Sequence, residues 1–233
     1  MSDHALQDAL AAKVRAAPPG FAVFDADGTL WNEDVGEAFL RHLVILGMVR
    51  LPDDSDPYEA YERMVADDKR TGYAYAAQLL AGLPAAEVQA EATRFADRWV
   101  PPRLIGATAA LVKLCAEAGH TVCVVSASQV DIVRAAVVHA GVPWDRCAGM
   151  KTRIGRDGRY TAELVPPITY AAEKVDAAQG HGWSPIAVAC GDSITGDLAL
   201  LSAAGVAVVV AAAGPTMLSA EADKRGWDVI GSS

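Results

Sequence analysis

Apolar residues in this chain fall into short unbroken runs separated by longer stretches of helical spacing. Ala22-Val23-Phe24 is such a run and ends on Asp25. A run without polar alternation reads as a strand covered on both faces, as in a parallel sheet. Comparable runs occupy Thr121 to Val125, Ile186 to Cys190 and Val206 to Val210, with Trp227 to Ile230 as a candidate fifth. Between them, Leu104 to Ala118 stops at Gly119 and Val130 to Ala140 stops at Gly141. Glycine there suits the left-handed residue that ends a helix. Ile168 to Gln179 and Thr195 to Ala204 complete the helical segments. Strands alternating with helices predict an α/β protein with a doubly wound, Rossmann-like parallel sheet.

Two regions break the alternation. From Val35 to Trp99 no strand-like run occurs. Phe39, Leu43 and Leu46, then Tyr58, Tyr61 and Val65, then Val88, Ala92, Phe95 and Trp99 recur at helical spacing. This pattern predicts a small helical cap inserted after the first strand, residues 34–102, on a core of residues 1–33 and 103–233. Pro101-Pro102 marks the return to the core. The second irregularity is Met150 to Leu164, where Gly155-Arg156-Asp157-Gly158 between short runs predicts a β-hairpin.

Composition narrows the function. With 233 residues and 52% hydrophobic content, the chain can bury a substantial core and is not a disordered segment. A net charge of −9 argues against nucleic-acid and anionic-membrane partners. It leaves phosphorylated small molecules open, because a bound cation can dominate the local field. The four cysteines form no CxxC pair, so zinc is not expected and the thiols read as reduced. Met1 to Gly20 carries Asp3 and Asp8 and no apolar core, unlike a signal peptide. The longest apolar stretch, Val206 to Ala213, is too short to span a bilayer, so a soluble cytoplasmic protein is expected. The five histidines show no ligand spacing, and oligomeric state is left open.

Ligands of parallel α/β sheets bind at the carboxyl ends of the strands, where the topology switches. Three strand ends carry reactive groups here: Asp25-Ala26-Asp27-Gly28-Thr29-Leu30, Ser126, and Gly191-Asp192-Ser193. Carboxylates from neighbouring strand ends would converge, and like charges held close together call for a cation between them. Oxygen ligands without His or Cys favour a hard ion such as Mg2+.

Phe24-Asp25-Ala26-Asp27-Gly28-Thr29-Leu30 resembles the first signature of the haloacid dehalogenase (HAD) superfamily. Val124-Val125-Ser126-Ala127-Ser128 is similar to the second, Lys174 sits where the third places its lysine, and Gly191-Asp192-Ser193-Ile194-Thr195-Gly196-Asp197 resembles the fourth. The order is that of the family, and the hairpin and cap size resemble its phosphoserine phosphatase-like branch. The resemblance implies a magnesium-dependent phosphatase acting on a small phosphorylated metabolite through an aspartyl-phosphate. Asp25 would be the nucleophile, and Asp27 the acid and then the base. Ser126, with Ala127 beside it, and Lys174 would bind the phosphoryl group. Asp25, Asp192 and the backbone carbonyl of Asp27 would hold Mg2+. Asp197 would either reach the metal through water or orient Lys174. The acid at position 27 favours phosphate over halide chemistry, since an alkoxide needs a proton to leave and a halide does not.

The same resemblance places Asp34 near the family's cap-hinge glutamate, which contacts a substrate ammonium. The arginine that pairs with the carboxylate of phosphoserine would fall near Ala74 to Ala77, where this chain has none. Aromatic residues in the cap (Tyr58, Tyr61, Tyr73, Tyr75, Trp99) and acids (Glu33, Asp34, Glu37, Glu59, Glu62) suit an organic cation, hence a phosphorylated amine or amino acid. A phosphotransferase or mutase of the same superfamily is an alternative. A phospho-acceptor signalling domain is a further one, disfavoured by the helical insert and by Asp27.

Overall fold

The structure is a computed structural model that describes residues 3–51, 53, 55–211 and 216–232. In chain order, α1 (Asp3–Ala16) leads to β1 (Phe21–Phe24), and four helices follow: α2 (Val35–Ile45), α3 (Pro57–Asp67), α4 (Lys69–Gln78) and α5 (Ala85–Trp99). The chain then returns through α6 (Gly106–Glu117), β2 (Thr121–Gln129), α7 (Val130–Val137) and β3 (Cys147–Met150). A hairpin of β4 (Thr152–Ile154) and β5 (Tyr160–Leu164) precedes α8 (Glu173–Gly180), β6 (Ile186–Gly191), α9 (Leu198–Ser202), β7 (Val206–Ala211), α10 (Met217–Arg225) and β8 (Asp228–Gly231).

Six strands form one parallel sheet in the order β3-β2-β1-β6-β7-β8. The expected α/β doubly wound core with a helical insert after its first strand is therefore present. Alternation along β1 sends Ala22 and Phe24 to one apolar cluster and Val23 to the other, so each sheet face carries its own core. All four cysteines are free and buried. The order reverses between β1 and β6, which makes the gap beyond their carboxyl ends the topological switch point. Phe24 is in register with Val124 of β2 and Cys190 of β6. Asp25 and Asp192 thus directly follow their strands, and Ser126 lies in the outer half of β2 at the same edge.

Some boundaries differ from those the pattern predicts. Helix α8 starts at Glu173 rather than Ile168, because residues 168–172 make a turn with Ala171 at positive φ. Helix α9 starts at Leu198 rather than Thr195, because the preceding loop wraps around the Asp197 carboxylate. Strand β3, α1 and α10 have no counterpart in the apolar pattern. β3 is four residues with a glycine, too short to show a period.

The insert is tied to the core at two places. Its entry and exit strands pair: Asn32 N–H donates to Arg103 O at 2.9 Å, and Ile105 N–H donates to Leu30 O at 3.0 Å. At the far end, Gly82 N–H donates to Tyr160 O, Tyr160 N–H to Leu83 O and Ala85 N–H to Gly158 O, so the insert adds a short ladder to the hairpin. Helix α2 begins close to β2. A Cβ on Gly36 would collide with the Ser128 side chain, so a larger residue there would push the cap off the sheet edge. Among the described residues no helix is long and apolar enough to cross a membrane.

Candidate active site

Beyond β1 the chain turns sharply. Thr29 and Leu30 N–H both donate to Ala26 O, and Gly28 N–H donates to Trp31 O. Gly28 has φ +77°, and a Cβ there would overlap the Asp192 carboxylate. Only glycine fits both demands, which explains the residue after Asp27.

Asp25 is 5% exposed. One of its oxygens accepts from Lys174 Nζ, and the other accepts from Thr29 Oγ1 at 3.1 Å. Lys174, 2% exposed, also donates to Asp197 Oδ1 at 2.6 Å. The second oxygen of Asp197 accepts the N–H groups of Asp192 and Ser193 at 3.1 and 2.9 Å. Asp197, left open by sequence, therefore positions both Lys174 and the loop that bears Asp192. Carboxylate oxygens of Asp25, Asp192 and Asp197 all lie within 4.8 Å of one another.

Burial raises the Asp25 carboxyl well above the usual range, and Asp197 adds to this. Asp192 is pushed up to about 7, by burial first and then by Asp197. Burial alone would lower Lys174, but Asp197 and Asp25 hold it protonated. Three acids around one ammonium leave an anionic excess in low dielectric. A hard divalent cation among Asp25 and Asp192 would remove that excess, and the all-oxygen donor set fits Mg2+.

Asp27 is turned away from this cluster. Its Oδ1 accepts from Trp31 Nε1 at 2.8 Å and Val35 N–H at 2.7 Å; its Oδ2 accepts from Ser128 Oγ at 2.7 Å and Ser126 Oγ at 3.3 Å. With its carboxylate so engaged, Asp27 is left its main-chain carbonyl to offer a metal.

Ser126 is fully buried behind Asp27, and its Oγ also accepts from Ser128 N–H at 3.0 Å. The cleft wall at this point is made by Ala127 and Ser128. Ser128 bridges two acids, since its hydroxyl also lies 3.4 Å from Asp34 Oδ1. Sequence reasoning quoted Ser128 but gave it no role. Its place two residues after Ser126, on the same strand face, was the available sign.

Asp34 caps α2, accepting from Glu37 N–H at 2.8 Å. Its carboxyl is pushed up to about 8, by burial and then by Asp27. The cleft that holds Asp25, Asp27, Lys174 and Asp192 has Asp34 and Tyr73 in its cap-side wall and Lys69 at its mouth. Of the other cap aromatics, Tyr58 and Tyr61 are buried, and the Tyr58 hydroxyl donates to Glu37. The histidines take structural contacts, such as His42 with Glu91 and His120 with Val14 O.

Residues 22–202 match the haloacid dehalogenase-like hydrolase family. Among solved structures, a protein of unknown function from Bordetella pertussis superposes with a TM-score of 0.77 at 22% identity, over 92% of this chain and 99% of that one. A phosphoserine phosphohydrolase-like protein from Francisella tularensis subsp. tularensis gives 0.59 at 17% identity, over 82% and 87%. A phosphoserine phosphatase in its apo form gives 0.60 at 18% identity, over 93% and 94%. At these identities the likeness establishes the fold. No curated protein sequence matches this chain.

Proposed function

This chain belongs to the haloacid dehalogenase-like hydrolase family, and we propose that within it the protein is a magnesium-dependent phosphatase of a small phosphomonoester, working through an aspartyl-phosphate on Asp25. The observation that carries this reading is one cleft at the switch point. It holds a buried strand-end carboxylate paired with a lysine, and a second carboxylate, Asp27, bonded to serine hydroxyls.

Asp25 attacks phosphorus as the bond to the leaving alkoxide breaks. Lys174 holds Asp25 and offers its charge to a phosphoryl oxygen. Asp25, Asp192 and the Asp27 carbonyl would hold Mg2+, which when bound would neutralise charge at the phosphoryl oxygens. The alkoxide takes its proton from Asp27. Water then attacks the acyl phosphate, returning a proton to Asp27 and freeing Asp25 and inorganic phosphate.

The hydrogen bonds around Asp27 indicate where that proton resides. Its Oδ1 faces two N–H groups, which only donate. Its Oδ2 faces hydroxyls, which rotate between donating and accepting. Oδ2 is therefore the oxygen that can carry and release a proton, and Ser128 is the group that accommodates it. Ser126 serves by holding Ser128 and Asp27 in place.

Asp34 in the cleft wall favours an ammonium on the leaving group, so a phosphorylated amine is the preferred substrate class. The test is phosphate release from a panel of phosphomonoesters, with and without EDTA. Magnesium-dependent release abolished by Asp25→Asn is expected. Transfer of the phosphoryl group to added alcohols in place of free phosphate would reassign the protein as a phosphotransferase.

A further inference from the structure

A narrow recess leaves the cleft between Asp34 and Tyr73 and runs between α2 and α4. Leu40, Leu43, Ala76 and Leu80 give it apolar lining. It has room for about one water-sized group.

Its charge is one-sided. Asp34 and Glu37 line it, and among the described residues no Lys, Arg or His does. The Tyr61 and Tyr73 phenols are also in its wall, and neither donates a hydrogen bond to a described residue. Burial, and after it the Asp34 charge, keeps both phenols protonated. A carboxylate in this recess would be an anion buried beside two acids with no cation to pair with it, an arrangement that rejects a ligand rather than holding it. An alkyl group meets leucine and alanine side chains instead.

We infer that the recess selects the O-phosphate of a 2-amino alcohol whose branch is a small uncharged group, where phosphoserine would carry a carboxylate. This deepens the proposed function and rests on it: phosphate lies at Asp25, ammonium at Asp34, and the branch between α2 and α4. The recess limits the branch to about one carbon, given its capacity for about one water-sized group.

The test compares three probes, O-phosphoethanolamine, O-phosphoserine and 2-aminopropyl phosphate, by calorimetric binding to the Asp25→Asn protein with magnesium. The variant cannot consume the ligand. 2-Aminopropyl phosphate is expected to bind at least tenfold more tightly than phosphoserine, and about fourfold more tightly than phosphoethanolamine, as one buried carbon contributes. Adding Ala76→Leu, which fills the recess, is expected to cost 2-aminopropyl phosphate about fourfold while leaving phosphoethanolamine within about twofold, because only the branch is displaced. No gain of 2-aminopropyl phosphate over phosphoethanolamine, phosphoserine binding as tight or tighter, or equal losses for both ligands in a folded Ala76→Leu protein would overturn the inference. Where Ala76→Leu does not fold, the three-probe ranking decides alone. Turnover by the unmodified protein is read separately. If the ranking holds but no probe is hydrolysed, the recess assignment survives and the phosphatase reading fails.

Discussion

The hydroxyl of Tyr160, in the hairpin, donates to Asp131 Oδ2 at 2.6 Å, and Asp131 belongs to core helix α7. Gln89 of cap helix α5 donates to the other oxygen of the same carboxylate at 3.1 Å. One buried acid thus joins core, hairpin and cap, beside the main-chain ladder of residues 82–85 with 158–160. The α3–α4 pair has lighter polar ties: the exposed Arg70–Glu173 ion pair and Gln78 Nε2 to Ala162 O. Tyr160→Phe should therefore lower unfolding stability by about 1.5–3 kcal/mol, the range for a bond to a charged group. Arg70→Ala should cost under about 1 kcal/mol. Urea unfolding midpoints check both, and equal losses would show that the Asp131 node is not the stronger tie.

Asp25→Asn should abolish phosphate release and leave the fold intact. The amide cannot form an acyl phosphate, and it removes one like charge from a buried cluster whose other members are Asp192 and Asp197. Its thermal midpoint without metal should equal or exceed that of the unmodified protein. Activity within tenfold in a folded variant would sink the nucleophile assignment.

The same cluster sets a pH dependence. A carboxyl raised in the fold makes the native state bind more protons than the unfolded chain above pH about 4, so stability falls as pH rises through the folded value. Asp192 at about 7 and Asp34 at about 8 place this loss between pH 4 and 8. Acids held low, such as Glu91 beside His42 and Arg94, add stability above the unfolded carboxyl range and contribute little slope beyond pH 5. In EDTA, Tm should fall from pH 5.5 to 8.5. Mg2+ should raise Tm more at 8.5, where its ligands are ionised, than at 5.5. An equal effect of Mg2+ at both values would argue against carboxylate ligation.

Asp34 has two roles that a substitution can separate. Alanine would remove the α2 cap as well as the charge, so Asp34→Asn is the cleaner probe: it keeps a cap acceptor and loses the anion. KM for an amine phosphate should rise by one to two orders of magnitude, about 1.5–3 kcal/mol. KM for p-nitrophenyl phosphate should change little. Equal effects on both substrates would show Asp34 to be structural.

Local spacing along the chain determined the element types, the insertion point of the cap and the acid-bearing strand ends, because each is written within a few consecutive residues. The apolar run into Asp25 and the one into Gly191-Asp192 are legible in this way, since burial on two faces leaves no place for polar alternation. The hairpin is legible from its glycine pair. Three things depended on tertiary structure. Four-residue β3 is held by pairing with β2 and has no period of its own. Asp197 could be assigned to Lys174 only once β6 lay beside β1 and the loop closed around its carboxylate. The recess between α2 and α4 brings Asp34, Leu43, Tyr73 and Ser128 together from segments up to 94 positions apart, the span from Asp34 to Ser128. Which side chains meet there depends on how the cap packs on the sheet edge, through contacts such as Gly36 against Ser128. A periodic pattern records which face of an element is buried, and carries no record of the partner that buries it.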